Sequence, residues 1–144
     1  MEHHSASDMG LAALAFNLEA AGNLESMARE LRAWHATGLG IAIWGGGEEA
    51  ALFLTTHGLD ALRFPIVVDS DAAKAGTRAP GTGQTVRSPG WLLDHPVDII
   101  LIPCPSEAPR IVREIDAAGI PYEGILVPQE GRLVDFRAAE MVIA

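Results

Sequence analysis

Residues 45–50 read Gly-Gly-Gly-Glu-Glu-Ala, between the apolar runs "IAIW" and "ALFL". Gly45, Gly47 and Ala50, with Gly46 inside the turn, satisfy the spacing G-x-G-x-x-(G/A) at a strand-to-helix junction. The chemistry of such a turn is phosphate recognition. Glycines let the backbone approach a pyrophosphate, and the free N–H groups of the helix start point at it. Asp69 closes the next apolar run, where an acid that binds ribose hydroxyls is expected. Glu48 and Glu49 cut the other way. Acids in a first turn favour the helix itself, and for the same reason they repel a bound phosphate. The turn therefore suits a Rossmann-like scaffold better than tight binding of NAD(P) or S-adenosylmethionine.

Lys74, Arg78 and Arg87 are three of only ten basic residues, and all lie within 70–90. That segment leaves the carboxyl end of the second apolar run, the edge at which open α/β sheets bind ligands. A mobile basic loop there would close on a phosphate or a sugar pyrophosphate; the bland alternative is a solvated loop, and the two stand level. Cys104, in "IPCPSE", lies just past the third apolar run and two residues before Ser106. This position can activate a thiol as a nucleophile. No histidine stands nearby in sequence, however, and a free cysteine is more often a small buried hydrophobe. His35, His57 and His95 have no partner at ligand spacing, so no metal site is expected.

The elements that must position these residues alternate. "LGIAIW" (39–44), "FPIVVD" (64–69), "VDIILIP" (97–103) and "YEGILVP" (122–128) are short apolar runs that read as buried strands. "GEEAALFLTTHG" (47–58), "SPGWLLDH" (88–95) and "SEAPRIVREIDAAG" (106–119) read as helices. Ser88 and Ser106 are the expected N-caps, and Gly58 and Gly119 the terminators. "GRLVDF" (131–136) is a candidate edge strand. This order predicts a Rossmann-like three-layer α/β/α fold with a mostly parallel sheet of four to five strands. An N-terminal helical segment (11–38) precedes that domain (39–144), and residues 1–10 are polar and expected to fray. Within the leading segment Leu24, Met27, Leu31 and Trp34 recur at helical steps, after Asn23 as cap and before Gly38 as terminator. That stripe either packs on the domain or docks on a partner or a second copy, and packing is favoured.

Composition bounds the rest. At 144 residues, 49% apolar and 20% charged, the chain has the profile of one well-cored domain. A net charge of −9 disfavours nucleic acid and anionic membranes, which need a surplus of Lys and Arg. One cysteine permits no internal disulfide. With no signal-like start and no apolar run of about 20 residues, a soluble, cytoplasmic protein is expected.

The order of signposts resembles the C-terminal, Rossmann-like domain of the sugar C-methyltransferases. The matching residues are Trp44-Gly45 at the turn, Val68-Asp69 at the second strand end and Lys74-Ala75-Gly76. Pro80-Gly81-Thr82, Ser88-Pro89 and Val97-Asp98 follow in the same order, so the likeness spans about residues 24–130. Two departures stand out. Glu48-Glu49 replace a small residue and a lysine, and Cys104-Pro105 replace Trp-Asn. The family's methyl-donor domain, zinc segment and catalytic residues have no counterpart in this stretch. The resemblance thus implies a non-catalytic module with a nucleotide-sugar surface, S-adenosylmethionine being held only by an associated methyltransferase domain. The ligand-binding residues expected are Gly45, Gly46, Gly47, Asp69, Lys74, Arg78 and Ser106. Two alternatives stay open: an interaction module docking on a methyltransferase or forming a homodimer through the N-terminal helix, and a small enzyme using Cys104 or Asp69.

Overall fold

The computed structural model describes residues 24–45 and 47–137. The expected frayed stretch 1–10, the helix start at Leu11, the Asn23 cap and Gly46 lie outside the described residues. Helix α1 (Leu24–Ala36) leads into β1 (Ile41–Trp44), α2 (Glu48–Thr56) and β2 (Ile66–Val68). There follow β3 (Val86–Arg87), α3 (Trp91–Asp94), β4 (Ile99–Leu101), α4 (Ala108–Ala118), β5 (Gly124–Gln129) and β6 (Arg132–Asp135).

The strands form one six-stranded sheet in the order β3-β2-β1-β4-β5-β6. All neighbouring pairs are parallel except β5 with β6. Each central strand sends alternate residues into two separate cores. Ile41, Ile43, Ile99 and Leu101 join one core, with Met27, Leu31 and Trp34 of α1 and Leu54 of α2. Ala42, Trp44, Ile100 and Ile125 join the other, with Leu92 of α3 and Ile111, Val112 and Ile115 of α4. Two-sided burial explains why these strands read as continuous apolar runs rather than alternating ones. Each fully buried Ile or Leu contributes roughly 1.5–3 kcal/mol. The architecture is the expected Rossmann-like three-layer fold, with a wider sheet.

Met27, Leu31 and Trp34 of the α1 stripe are spent on their own chain. Met27 and Leu31 are 1% and 0% exposed, so the helix carries those side chains in the domain's core and not on a docking face. Gly38, Gly58 and Gly119 follow their helices at φ +92°, +64° and +72°, the left-handed stops their positions predict. The serine caps are different. Gly90 occupies the N-cap position of α3 and Glu107 that of α4, neither with a side-chain bond. Pro89 and Pro105 set turns ahead of each helix, the second being a 3-10 turn over Pro105–Glu107, so α3 starts two residues and α4 one residue later than a serine cap requires.

The 70–90 segment departs most from expectation. It contains β3, which makes the sheet six-stranded, and it is pinned rather than loose. Gln84 is 1% exposed, and its amide donates to Leu59 O at 2.8 Å and Phe64 O at 3.0 Å. Arg78 and Thr85 form an antiparallel bridge, and the Ala79 N–H donates to Gln84 O at 2.8 Å. A buried amide satisfying two carbonyls cannot leave without stranding both. In place of either loop that composition left open, closing or solvated, the segment forms an anchored hairpin.

Candidate functional site

The chain runs outward from β1 to β2 and β3, then returns past β1 to β4. The crevice between the carboxyl ends of β1 and β4 is the topological switch point, where α/β sheets of this kind hold ligands. A cleft of about 290 Å³ opens there. Trp44, Gly45 and Gly47 come to it from the end of β1, and Asp69, Ser70, Asp71 and Lys74 line it after the end of β2. Cys104 enters after β4, and Arg110 and Ile111 from the first turn of α4.

The glycine turn is built by Gly45. Its φ of +137° is accessible to glycine alone at little cost, and its N–H donates to Val68 O at 2.6 Å, tying the turn to β2. Gly47 holds the N-cap position of α2 with ordinary extended backbone (φ −83°, ψ −172°), and a side chain there would meet open space. Glu48 and Glu49 follow in the first turn of α2, both exposed and both on the cleft.

The opposite lip is held by turn chemistry. Asp69 Oδ1 accepts from the Asp71 N–H at 2.8 Å, and Asp71 Oδ1 accepts from the Ala73 N–H at 3.0 Å, capping a 3-10 turn over Ala72–Lys74. A polar chain then joins three elements. The Trp44 indole N–H donates to Ser70 Oγ at 3.1 Å, and the Ser70 hydroxyl donates to Glu114 Oε1 at 2.6 Å. Arg110 reaches both Glu114 (3.6 Å) and Glu107 (2.6 Å). The end of β1, the lip after β2 and α4 are thereby fixed together before any ligand arrives. Exposed i,i+3 and i,i+4 pairs of this kind stabilise by only about 0.3–0.5 kcal/mol each, so their value here is positional.

Charge decides what the cleft favours. Glu48, Glu49, Asp69, Asp71 and Glu107 face it, against Lys74 and Arg110. A lining so rich in carboxylates accepts hydrogen bonds from hydroxyls or amines and repels phosphate from its acidic side, so a phosphate is favoured only beside Lys74 or Arg110. Cys104 is half-buried, its thiol donating to Glu49 Oε1 at 3.1 Å and lying 3.3 Å from Ser106 Oγ. None of the described histidines lines the cleft. His35 packs on Phe64, His57 on Phe53, and His95 stacks on Trp91. His57 ends α2, where a cation is normally favoured, yet burial holds its pKa below the ordinary value of 6.5. Among the described residues no group of His, Cys, Asp or Glu is arranged to hold a metal ion.

Of the expected site residues, Gly45, Gly47, Asp69 and Lys74 meet in this one cleft. Arg78 does not join them, because its guanidinium donates to Gly83 O at 3.2 Å across the anchored hairpin. Ser106 stands beside Cys104, not as a helix cap. Ser70, Asp71, Glu107, Arg110 and Glu114 were not legible as site residues. The only trace of the last three is their i,i+3 and i,i+4 spacing, the ordinary mark of a solvated helix face.

Fold and site together define a Rossmann-like α/β domain with a preformed, carboxylate-rich switch-point cleft. Among the described residues no helix is long and apolar enough to cross a membrane. Comparison with models of known protein families gives no match, and comparison with curated proteins gives none at a significant level. The likeness to the sugar C-methyltransferase domain rests on the sequence motifs alone.

Proposed function

We propose that this domain is a binding module that takes a nucleotide sugar, or a similar phosphorylated sugar, at the carboxyl edge of its sheet. The observation that carries the reading is the convergence of Gly45, Gly47, Asp69 and Lys74 on one switch-point cleft whose lining is dominated by hydrogen-bond acceptors. Such a lining suits the hydroxyls of a sugar, and Lys74 is placed to meet the phosphate that the sugar carries. The module performs no group transfer of its own and works with a methyl-transferring domain, the latter supported by the motif order of residues 74–89. A reading of Cys104 as nucleophile has less support, since its thiol proton is directed at Glu49.

The test is a thermal-shift titration with UDP-glucose and dTDP-glucose. At about 100 times the dissociation constant, a true ligand adds about 2.7 kcal/mol and raises the midpoint by several degrees. Lys74→Glu should weaken that ligand at least about tenfold, roughly 1.4 kcal/mol. Arg78→Glu, away from the cleft, should leave it unchanged. The reading fails if neither sugar nucleotide moves the wild-type midpoint.

A further inference from the structure

The cleft is too small for the whole of the ligand assigned to it. Ligand pockets run from roughly 300 to 1,000 Å³, and about 290 Å³ accommodates a sugar but not a sugar with its diphosphate and nucleoside. A second depression of about 620 Å³ lies immediately beyond the first turn of α2. Its walls are Ala51, Leu52 and Thr55 on the helix and Pro80-Gly81 on the anchored hairpin. Gly47, Glu48 and Lys74 wall both spaces, so cleft and groove are two compartments of one trough that bends over the start of α2.

The compartments differ in chemistry. The cleft presents carboxylates, whereas the groove presents the methyl and methylene groups of Ala51, Leu52, Thr55 and Pro80. Leu52 is 66% exposed beside this groove, an apolar side chain given to neither core. The groove is also held in shape. Gly81 sits at φ +84°, and a Cβ there would fall 2.7 Å from Thr55 Cγ2, so the turn rests directly on the helix. Lys74 lines both compartments and supplies positive charge where they meet.

Resting on the reading of the cleft as a sugar site, we propose that the groove along α2 binds the flat, weakly polar end of the same ligand. In a nucleotide sugar this is the base, lying between Leu52 and Pro80-Gly81, with the diphosphate crossing beside Lys74.

Amide chemical-shift mapping separates the two claims, using the tighter of UDP-glucose and dTDP-glucose alongside glucose 1-phosphate. The sugar nucleotide should shift Ala51, Leu52, Thr55 and Gly81 as well as Gly45 and Asp69, whereas glucose 1-phosphate should shift only the cleft residues. Ala51→Phe, which fills the groove, should weaken the sugar nucleotide at least about tenfold, roughly 1.4 kcal/mol, and leave glucose 1-phosphate unaffected. Should that variant fail to fold, Leu52→Ala at its exposed position should weaken the sugar nucleotide selectively. Shifts confined to the cleft with both ligands, or equal affinities in the variants, overturn the groove assignment and leave the cleft reading standing. Binding of neither ligand overturns both.

Discussion

Two glycine turns touch helix α2, one at Gly45–Gly47 before its first residue and one at Pro80–Gly83 against Thr55. The first has the outline of a nucleotide-binding motif, and the second has the composition of a passive loop. Their physical constraint runs the other way. Gly45 needs its left-handed backbone, but Gly47 has ordinary torsions and open space above it. Gly81 is confined twice over, by its φ of +84° and by contact with Thr55 Cγ2, and Gln84 three residues on is locked to two carbonyls. A familiar motif marks where a ligand can approach. It does not mark where the fold is least forgiving.

This contrast is open to measurement, first where the effect is largest. Gln84→Leu leaves Leu59 O and Phe64 O without their donor, and each stranded carbonyl costs about 1–3 kcal/mol. Urea denaturation should show a loss of about 3 kcal/mol; a loss within error would mean that the hairpin is not anchored. Gly81→Ala combines left-handed strain of about 1–2 kcal/mol with the clash on Thr55. Adding Thr55→Ser removes the clashing methyl and should restore part of the loss, the backbone share remaining.

At the first turn the two glycines should separate. Gly45→Ala should cost about 1–3 kcal/mol for its backbone, while Gly47→Ala should cost only about 0.5 kcal/mol as a changed N-cap. Equal losses at both would restore the motif reading of the turn.

The smallest effect is the pH dependence of His57, at the far end of α2. Its folded-state pKa is lowered by burial, so the unfolded chain binds the proton first as pH falls. This contribution to stability is complete above about pH 6.5, the unfolded value, and is lost as pH falls through the lower folded value. A series of urea midpoints between neutrality and the onset of carboxylate titration should show this slope in the wild type and a shallower one in His57→Gln.

The legibility of the chain divides along the same line. β1, β2, β4 and β5 were readable because burial on both faces makes each a continuous apolar run, and the stops at Gly38, Gly58 and Gly119 because a helix end asks for a left-handed residue. β3 was not readable. Two residues, Val86 and Arg87, carry no period, and their strand state comes from pairing with Val67 and Val68. Gln84 was hidden for a related reason: its partners lie 25 and 20 residues earlier in the chain. Half of the cleft was visible as glycines and acids at strand ends. The bracing chain from Trp44 through Ser70 to Glu114 joins positions 26 and 44 residues apart, and nothing local announces it.

The anchored hairpin has one more consequence, for how copies of this protein can meet. A parallel sheet ordinarily ends in a strand whose outer N–H and C=O groups invite a neighbour. At the β3 margin those groups are taken. Val86 gives its N–H to Thr77 O and receives the Gly76 N–H, each at 2.8 Å, so the chain has already added its own segment there. Among the described residues the other outer strand of the sheet is β6. Edge-to-edge joining of two copies could use that margin once, by a two-fold arrangement that consumes both open strands. Among the described residues the β3 margin is already occupied, so successive strand addition would stop there at a pair and not continue into a fibre.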